Sequence, residues 1–204
     1  MYRNIIVLDD FYSNPNEIRE FALNSPYPDP GDECTYPGKN SGDNFYPDEL
    51  HNRFEQILNR KLTPASMNGY FRISLETDSY KQYVHVDPSW EFGAVCYLTS
   101  PEQVVDEGGT SFWIHNKTKM ETCPVNDEQA KYHGYSSAKE TWWTTVYGEG
   151  LDRSKWTRYM LCPMKFNRLV LFRTRLWHSH NCNFGTNLQN GRLIQLFFFN
   201  PTDW

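Results

Sequence analysis

The hydrophobic pattern of this chain changes its period near residue 66, and this change limits the folds that the chain can adopt. Residues 13–24 and 47–62 carry apolar side chains every three or four positions and predict two helices, preceded by a short apolar strand at 3–9. Downstream, segments that alternate or are rich in β-branched and aromatic residues predict strands. These predicted strands are 67–76, 92–99, 110–115, 167–174 and 191–200. Helices followed by many strands predict a mostly β fold, a jelly roll or β-sandwich with the N-terminal helices packed outside.

The chain has 204 residues, a length typical of one domain. We therefore predict a single domain over 1–204, with helical N-terminal support in 1–66 and the barrel in 67–200. Residues 26–47 are rich in Pro, Gly, Asp and Tyr and predict a long loop, and the polar segment 115–160 predicts an irregular insertion in the barrel. Long irregular segments around a rigid barrel are typical places for substrate recognition.

Charge and composition argue against several classes of partner. The formal net charge of −5 argues against non-specific electrostatic binding of the whole protein to nucleic acid or to an anionic membrane. No apolar run approaches the roughly 18 residues of a membrane span, and Ile5–Leu8 is too short for the core of a signal peptide. The five cysteines are odd in number and form no CxxC pair, which indicates reduced thiols. We therefore predict a cytoplasmic protein, and the sequence does not indicate its oligomeric state.

The segment YVHVDPSW at 83–90 places a histidine and an aspartate two positions apart in a predicted strand that Pro88 ends. Residues i and i+2 of an extended chain point to the same face, so His85 and Asp87 project into one volume. This pair has two explanations. It is an incomplete metal site that needs a third ligand, or it is a solvent-facing ion pair at the end of a strand.

Two histidines that follow the strong strand 167–174 are candidates for the third ligand. His178 and His180 lie directly after this strand, whereas the other histidines lie on a predicted helix or in the insertion. Two histidines and one carboxylate form the facial triad of non-haem Fe(II) oxygenases, which leaves three coordination positions open. A structural zinc site would instead complete its tetrahedron with cysteine. Arg192 begins the last predicted strand and is either a partner for a carboxylate or a surface charge.

The order of these motifs resembles that of the Fe(II)/2-oxoglutarate-dependent dioxygenases, and the prolyl-4-hydroxylase-like branch fits best. The matching residues are His85 and Asp87, Tyr97-Leu98, Gly108-Gly109-Thr110-Ser111-Phe112, Leu171-Phe172 followed by His178, and Gly191-Arg192. The N-terminal stretch IIVLDDFYSNPNEIREFAL is also similar to the opening of that branch. A lone HxD is a weak signal, but these motifs in this order are jointly specific, and the resemblance covers most of the chain.

The resemblance implies a fold and a metal. The fold is a double-stranded β-helix, which is a distorted, cupin-like jelly roll. The metal is Fe(II), held by His85, Asp87 and a distal histidine. The spacing from the preceding strand favours His178 as that ligand, although strand geometry would also present His180.

The resemblance also implies 2-oxoglutarate and O₂ as cosubstrates. The far carboxylate of 2-oxoglutarate would meet Arg192, and Tyr97 would add a hydrogen bond. Thr110 would line the same pocket. Packing in the core is an alternative role for Tyr97 and Thr110. The gap from His178 to Arg192 is longer than is usual in this branch, and the segment between them is similar to a loop insertion.

The substrate is less well defined by the sequence. Candidate substrate residues are Trp90, Trp177, His180 and Arg72, and Trp142 and Trp143 are further candidate walls of the pocket. For each tryptophan, hydrophobic packing is the competing explanation. Arg72 is a second candidate for binding an anion, but we favour a charge exposed on a strand. A carboxylate ligand at Asp87 argues for hydroxylation, or for demethylation through a hydroxylated intermediate, because a related halogenase would lack it.

The predicted function is therefore an enzyme that hydroxylates a C–H bond of a peptide side chain, an amino acid or another small molecule, with succinate and CO₂ as coproducts. Three alternatives stay open. The first is a metal-dependent cupin enzyme that is not an oxygenase. The second is a degenerate barrel that only binds a partner, and the third is an oxygenase that acts on a nucleobase.

Overall fold

The computed structural model describes residues 4–31 and 34–202 and is mostly β with flanking helices. The strands are β1 (Ile5–Leu8), β2 (Lys39–Asn44), β3 (Leu62–Pro64), β4 (Tyr70–Ser74), β5 (Phe92–Tyr97), β6 (Thr110–His115), β7 (Trp156–Cys162), β8 (Leu169–Arg173), β9 (His178–His180) and β10 (Arg192–Pro201). The helices are α1 (Pro15–Asn24), α2 (Asp48–Leu58), α3 (Asp127–Tyr132) and α4 (Ala138–Trp143), and α4 continues into a π-helical turn at Thr144–Glu149. In the ranges just given, no helix is long and apolar enough to cross a bilayer.

The strands form two antiparallel sheets. The larger sheet has the order β1-β8-β5-β10-β4-β2, with β3 paired to the end of β10, and the smaller has the order β7-β6-β9. Strand β10 lies in the middle of the larger sheet and is buried along most of its length. Because successive side chains of a strand point to opposite faces, β10 contributes to two separate cores.

The first core lies between the larger sheet and the two N-terminal helices. Phe54 of α2 packs against Phe197 and Phe199 of β10, with ring centroids 4.8 and 4.7 Å apart. Ile18 and Ala22, on one face of α1, join the same cluster. A phenylalanine fully buried in this way contributes about 1.5–3 kcal/mol relative to an exposed one. These helices therefore hold the back of the sheet and leave its other face for the site.

The second core lies between the two sheets. Ile194 and Leu196 of β10 belong to a buried cluster with Phe112 of β6 and Phe172 of β8. The rings of Phe112 and Phe172 meet edge to face at 5.4 Å. This arrangement confirms the predicted layers, with helices outside and strands around an apolar interior.

The strong predicted strands are confirmed, but two predictions about irregular segments are wrong. The predicted loop 26–47 contains β2, a polar strand of which only Ser41 is buried. It forms because its backbone pairs with the edge of β4, and an exposed edge strand needs no apolar side chains. The predicted irregular insertion 115–160 contains α3, α4 and β7. That residues 1–204 form one domain stays a prediction.

The two short helices of the insertion carried signals that the sequence analysis missed. The side chain of Asn126 accepts a hydrogen bond from the backbone N–H of Gln129, and that of Ser137 accepts one from Glu140. Each is an N-terminal cap three residues before its donor, the spacing expected of such caps. The helices are only six residues long, which leaves too little hydrophobic periodicity to detect.

Candidate metal centre and its pocket

His85 and His178 are brought together by the backbone. The N–H of each donates to the carbonyl oxygen of the other, both at 3.0 Å, and the two form an isolated antiparallel bridge. The N–H of Asp87 donates to the carbonyl oxygen of Thr174 at 3.1 Å. The prediction that 83–87 is a regular strand is wrong, because the segment pairs with β9 only at His85. The extended chain still places His85 and Asp87 on the same side, as the spacing predicted.

The three side chains converge on one point. One ligand atom from each of His85, Asp87 and His178 lies within 4.8 Å of the others. The Nε2 atom of His178 is 3.2 Å from Oδ2 of Asp87, and the two imidazole centroids are 4.4 Å apart. Since bonds from a divalent metal to nitrogen and oxygen are about 2.0–2.2 Å long, small side-chain movements would bring all three atoms within reach of one ion.

Hydrogen bonds fix the same ring orientation in both histidines. His85 Nδ1 lies 2.9 Å from the carbonyl oxygen of Tyr83, and His178 Nδ1 lies 2.8 Å from that of Leu176. A carbonyl oxygen only accepts, so each Nδ1 carries the proton and donates it. This leaves the lone pair on Nε2, the atom that points to the shared volume. Such outer hydrogen bonds are typical of metal-binding histidines, because they hold the tautomer and the ring.

The protonation of His85 and Asp87 suits metal binding. Burial, together with the neighbouring His178, lowers the pKa of His85 to about 4. Burial alone would raise the pKa of Asp87, but the adjacent His178 ring and the nearby His85 and Arg72 lower it below its ordinary value. At neutral pH the imidazole is therefore neutral and the carboxylate is ionised, which are the forms that bind a metal.

The three side chains line a cavity of about 230 Å³ between the two sheets. Four other candidate residues from the sequence, Thr110, Arg192, Trp90 and His180, also line it, and their roles stay predictions. Arg72 lines it too, so the interpretation of this residue as a charge exposed to bulk solvent is wrong. A volume below the roughly 300–1,000 Å³ of typical ligand pockets indicates that the ligands are small.

Arg192 and Thr110 line this cavity, and Arg192 lies beside Tyr97, which is fully buried and does not line the cavity. The Tyr97 hydroxyl and Thr110 Oγ1 are 2.7 Å apart, and the guanidinium carbon of Arg192 is 6.0 Å from the centre of the Tyr97 ring. Arg192 Nε donates to the carbonyl oxygen of Gly108 at 2.7 Å, which fixes the orientation of the planar guanidinium group. Burial raises the pKa of Tyr97, so its hydroxyl stays protonated at neutral pH.

Close packing of the backbone explains why glycine is needed in the motif Gly108-Gly109-Thr110. A side-chain Cβ at Gly109 would lie 1.9 Å from the carbonyl oxygen of Cys162, so only glycine allows β6 to begin this close to β7. The neighbouring Gly108 supplies the carbonyl that holds Arg192. The motif therefore positions both Thr110 and the arginine at one end of the cavity.

His180 and the tryptophans occupy different places. His180 does not belong to the group of three potential ligands found among the described residues. Its ring packs edge to face against Tyr80 and Tyr83, with centroids 4.9 and 5.4 Å away. Trp177 is fully buried against Trp156 and does not line the cavity.

Trp142 and Trp143, in the insertion, do not line the cavity either. Trp143 is 58% exposed and stacks on Tyr147 with centroids 4.5 Å apart. Of the tryptophans considered as walls of the pocket, only Trp90 lines it.

Two residues near Arg72 were missed by the sequence analysis. Tyr36 lies under its guanidinium group, and Asn40 accepts a hydrogen bond from its Nε. Both come from the segment that was predicted to be a loop. No local pattern could have placed them here, because β2 reaches β4 through long-range strand pairing.

Comparison with protein families gives one match over almost the whole chain. The sequence model of a family of unknown function, DUF6445, matches residues 2–199. The chain belongs to this family. No curated protein matches its sequence.

Solved structures share its fold. HygX from Streptomyces hygroscopicus, with nickel and 2-oxoglutarate bound, is similar with a TM-score of 0.54 and 15% identity, over 98% of this chain and 83% of HygX. A prolyl hydroxylase from Trichoplax adhaerens, in complex with a peptide fragment of a hypoxia-inducible factor oxygen degradation domain, has a TM-score of 0.49 and 11% identity, over 96% and 83% of the two chains. At this identity, the similarity to HygX establishes a common fold.

Proposed function

We propose that this member of DUF6445 is an Fe(II)/2-oxoglutarate-dependent dioxygenase that hydroxylates a C–H bond of a small molecule, an amino acid or a peptide side chain. One observation carries the proposal. His85, Asp87 and His178 direct two imidazole nitrogens and one carboxylate into a cavity that also holds a buried arginine. We also propose that the two sheets form the double-stranded β-helix of that family. The common fold with HygX, a protein whose structure contains nickel and 2-oxoglutarate, supports both statements.

The donor set fits Fe(II). Two neutral imidazoles and one carboxylate suit a borderline divalent metal, and three ligands leave positions for a cosubstrate. The group contains no cysteine, which a closed structural zinc site typically includes. The donation of both Nδ1 protons to backbone carbonyls leaves the Nε2 atoms free to coordinate. His85, Asp87 and His178 are therefore the proposed ligands.

The opposite end of the cavity fits a carboxylate of 2-oxoglutarate. Arg192 is 3% exposed and has its Nε held by Gly108, so its terminal nitrogens are presented in one orientation. A guanidinium fork binds a carboxylate through two parallel hydrogen bonds. The hydroxyls of Tyr97 and Thr110, which bond each other, lie where they would add a hydrogen bond to the same group. These three residues are the proposed cosubstrate anchor.

Bound iron with 2-oxoglutarate and O₂ would supply the oxidant, with succinate and CO₂ as coproducts. The chain itself supplies position, charge and exclusion of water. Asp87 offsets part of the metal charge in its ionised form. Phe172 packs against the His178 ring at 4.6 Å, and this apolar contact restricts the ligand and keeps water from one side of the centre.

The proposal is tested by incubating the full chain with Fe(II), 2-oxoglutarate and O₂ and measuring succinate. Slow succinate formation without a primary substrate is expected, and it should require both Fe(II) and 2-oxoglutarate. Arg192→Gln should raise the 2-oxoglutarate concentration needed for half-maximal rate by roughly 10-fold or more, since hydrogen bonds to charged groups contribute about 1.5–3 kcal/mol. Arg60→Gln, an exposed arginine at the end of α2, is the matched control and should leave this concentration unchanged. Metal binding without any succinate would favour a metal-dependent cupin that is not an oxygenase.

A further inference from the structure

Arg72 is a second arginine on the cavity wall, and two neighbours fix its orientation. Its Nε donates to Asn40 Oδ1 at 2.8 Å, and its guanidinium carbon lies 3.6 Å from the centre of the Tyr36 ring. Asn40 Nδ2 in turn donates to the Tyr36 hydroxyl at 2.8 Å. The plane of the guanidinium group is therefore held before any ligand arrives, which lowers the entropy cost of binding.

The segment that carries Tyr36 is docked tightly on β4. Gly38 has a φ of +83°, and a Cβ there would lie 1.9 Å from the carbonyl oxygen of Ile73. The Ser74 hydroxyl donates to the carbonyl oxygen of Pro37 at 3.1 Å. Contacts of the two residues that follow Tyr36 thus position its ring under the guanidinium group of Arg72.

The terminal nitrogens of Arg72 have no anionic partner within the described part of the chain. There, the one hydrogen bond of this side chain is the one from Nε, and it forms no ion pair. Asp87 is near enough to act on the charge of Arg72 but does not pair with it. Burial lowers the pKa of Arg72 to about 10, so the group is still cationic at neutral pH. A cation on a confined wall that lacks a partner favours an anionic ligand.

Arg72 and Arg192 lie on the same face of adjacent strands. Arg192 is opposite Ser74 and Ile194 is opposite Arg72 in the ladder of β4 and β10, so the two arginines are diagonal neighbours. Diagonal neighbours are about 7–8 Å apart, and separate hydrogen bonds hold the two guanidinium groups, that of Arg192 at Gly108 and that of Arg72 at Asn40. The cavity therefore presents two separate anion positions, one beside Tyr97 and one beside Tyr36.

We infer that Arg72 binds a carboxylate of the primary substrate, and that this substrate is a small carboxylic acid such as a free amino acid. This inference rests on the proposed function, which assigns Arg192 to 2-oxoglutarate. The cavity of about 230 Å³ leaves little room beyond the cosubstrate, which favours a substrate of amino-acid size. Arg72, on the larger sheet, lines the same cavity as the proposed metal ligands, so a carboxylate held there would direct the rest of a short molecule towards the centre.

Anaerobic calorimetry tests the inference with free L-amino acids and their α-amides as probes. The full chain is loaded with Fe(II) and saturating 2-oxoglutarate, and each probe is titrated into wild type, Arg72→Gln, Arg72→Lys and the control Arg60→Gln. At least one free acid should bind wild type at least 10-fold more tightly than its amide. Arg72→Gln should weaken that acid at least 10-fold, and Arg72→Lys should weaken it less. The affinity for 2-oxoglutarate should stay within about threefold of wild type in all variants, and equal thermal unfolding midpoints would establish that they are folded.

Three results would overturn the inference. One is that no free acid binds wild type, and another is that Arg72→Gln binds the acid as tightly as wild type. The third is that Arg72→Gln loses 2-oxoglutarate while Arg192→Gln keeps it, which would make Arg72 the cosubstrate anchor. If wild type binds no 2-oxoglutarate at all, the proposed function fails instead. The same titrations on protein without 2-oxoglutarate would then still report whether Arg72 binds a carboxylate.

Discussion

His85 and His178 exchange two backbone hydrogen bonds of 3.0 Å, and this bridge fixes the spacing of their imidazole rings. The two residues are far apart in the sequence, yet their side chains meet because their backbones pair directly. Each ring is then oriented by a hydrogen bond from Nδ1 to a carbonyl two residues earlier in its own chain segment. The proposed metal centre is thus preorganised by main-chain contacts, which side-chain substitutions elsewhere will perturb little.

Replacement of the two candidate distal histidines should have different effects on iron affinity. His178→Ala removes a proposed ligand and should weaken Fe(II) binding by more than roughly 100-fold, because groups that only orient ligands already contribute about 10- to 100-fold. His180→Ala should change the affinity by less than about threefold, since its ring packs against Tyr80 and Tyr83. Anaerobic equilibrium dialysis measures both. A larger loss of Fe(II) affinity in His180→Ala than in His178→Ala would identify His180 as the distal ligand.

The hydroxyl of Tyr97 should contribute to the affinity for 2-oxoglutarate. Tyr97→Phe keeps the ring beside Arg192 but removes the partner of Thr110 Oγ1. Loss of one hydrogen bond of about 0.5–1.5 kcal/mol should raise the dissociation constant by roughly two- to tenfold and leave iron affinity unchanged. Tyr12→Phe is the matched control, because its buried hydroxyl bonds Gln195 on the helical side of the sheet. If Tyr97→Phe and Tyr12→Phe bind 2-oxoglutarate with equal affinity, the Tyr97 hydroxyl does not contribute to binding this cosubstrate.

His115 should make the metal-free protein less stable in mild acid. It is fully buried and bonded to Thr118 and Glu149, each at 2.8 Å, and burial lowers its pKa. The unfolded chain binds the proton more tightly, near the ordinary pKa of about 6.5, so stability is lost as the pH falls below that value. One such group changes the free energy of unfolding by up to about 1.4 kcal/mol per pH unit.

Denaturant unfolding at pH 7.5, 6.5 and 5.5, in the presence of a chelator, measures this effect. Other buried histidines contribute to the slope in wild type, so the informative quantity is the difference between wild type and His115→Gln. The variant should lose less stability between pH 6.5 and 5.5. An identical loss in the two proteins would show that His115 is protonated equally in the folded and unfolded chains.

Phe54 should be essential for the packing of the helices on the sheet. Its ring is fully buried between Phe197 and Phe199, and Phe54→Ala should lower the free energy of unfolding by about 3–5 kcal/mol. Phe21→Ala, on α1, serves as the control, because Phe21 is 41% exposed and should cost only roughly 1 kcal/mol. Urea denaturation monitored by tryptophan fluorescence measures both. A loss of unfolding free energy in Phe54→Ala no larger than that in Phe21→Ala would mean that the first core does not depend on α2.

The sequence predicted the parts of the fold whose signals are local. Strands β5, β6, β8 and β10 are apolar enough to be recognised alone, and the i, i+2 spacing of His85 and Asp87 correctly placed both on one side. The distance of His178 from its preceding strand correctly favoured it over His180 for the cluster with that pair.

The parts that could not be predicted depend on contacts between distant segments. Strand β2 is polar and forms only because it pairs with β4. The same pairing brings Asn40 and the preceding Tyr36 to Arg72. The sequence alone therefore favoured an exposed strand charge over an anion-binding role for this arginine. Trp177 could equally have lined the cavity or packed in the interior, and only the tertiary structure places it against Trp156.

The most direct test of the proposed function is the anaerobic visible spectrum of the metal-free protein after addition of Fe(II) and then 2-oxoglutarate. A keto acid chelated to Fe(II) gives a charge-transfer band that neither component has alone. This band should appear in wild type, persist in His180→Ala and be lost in His178→Ala. Binding of iron by wild type without any band on addition of 2-oxoglutarate would contradict the proposed function.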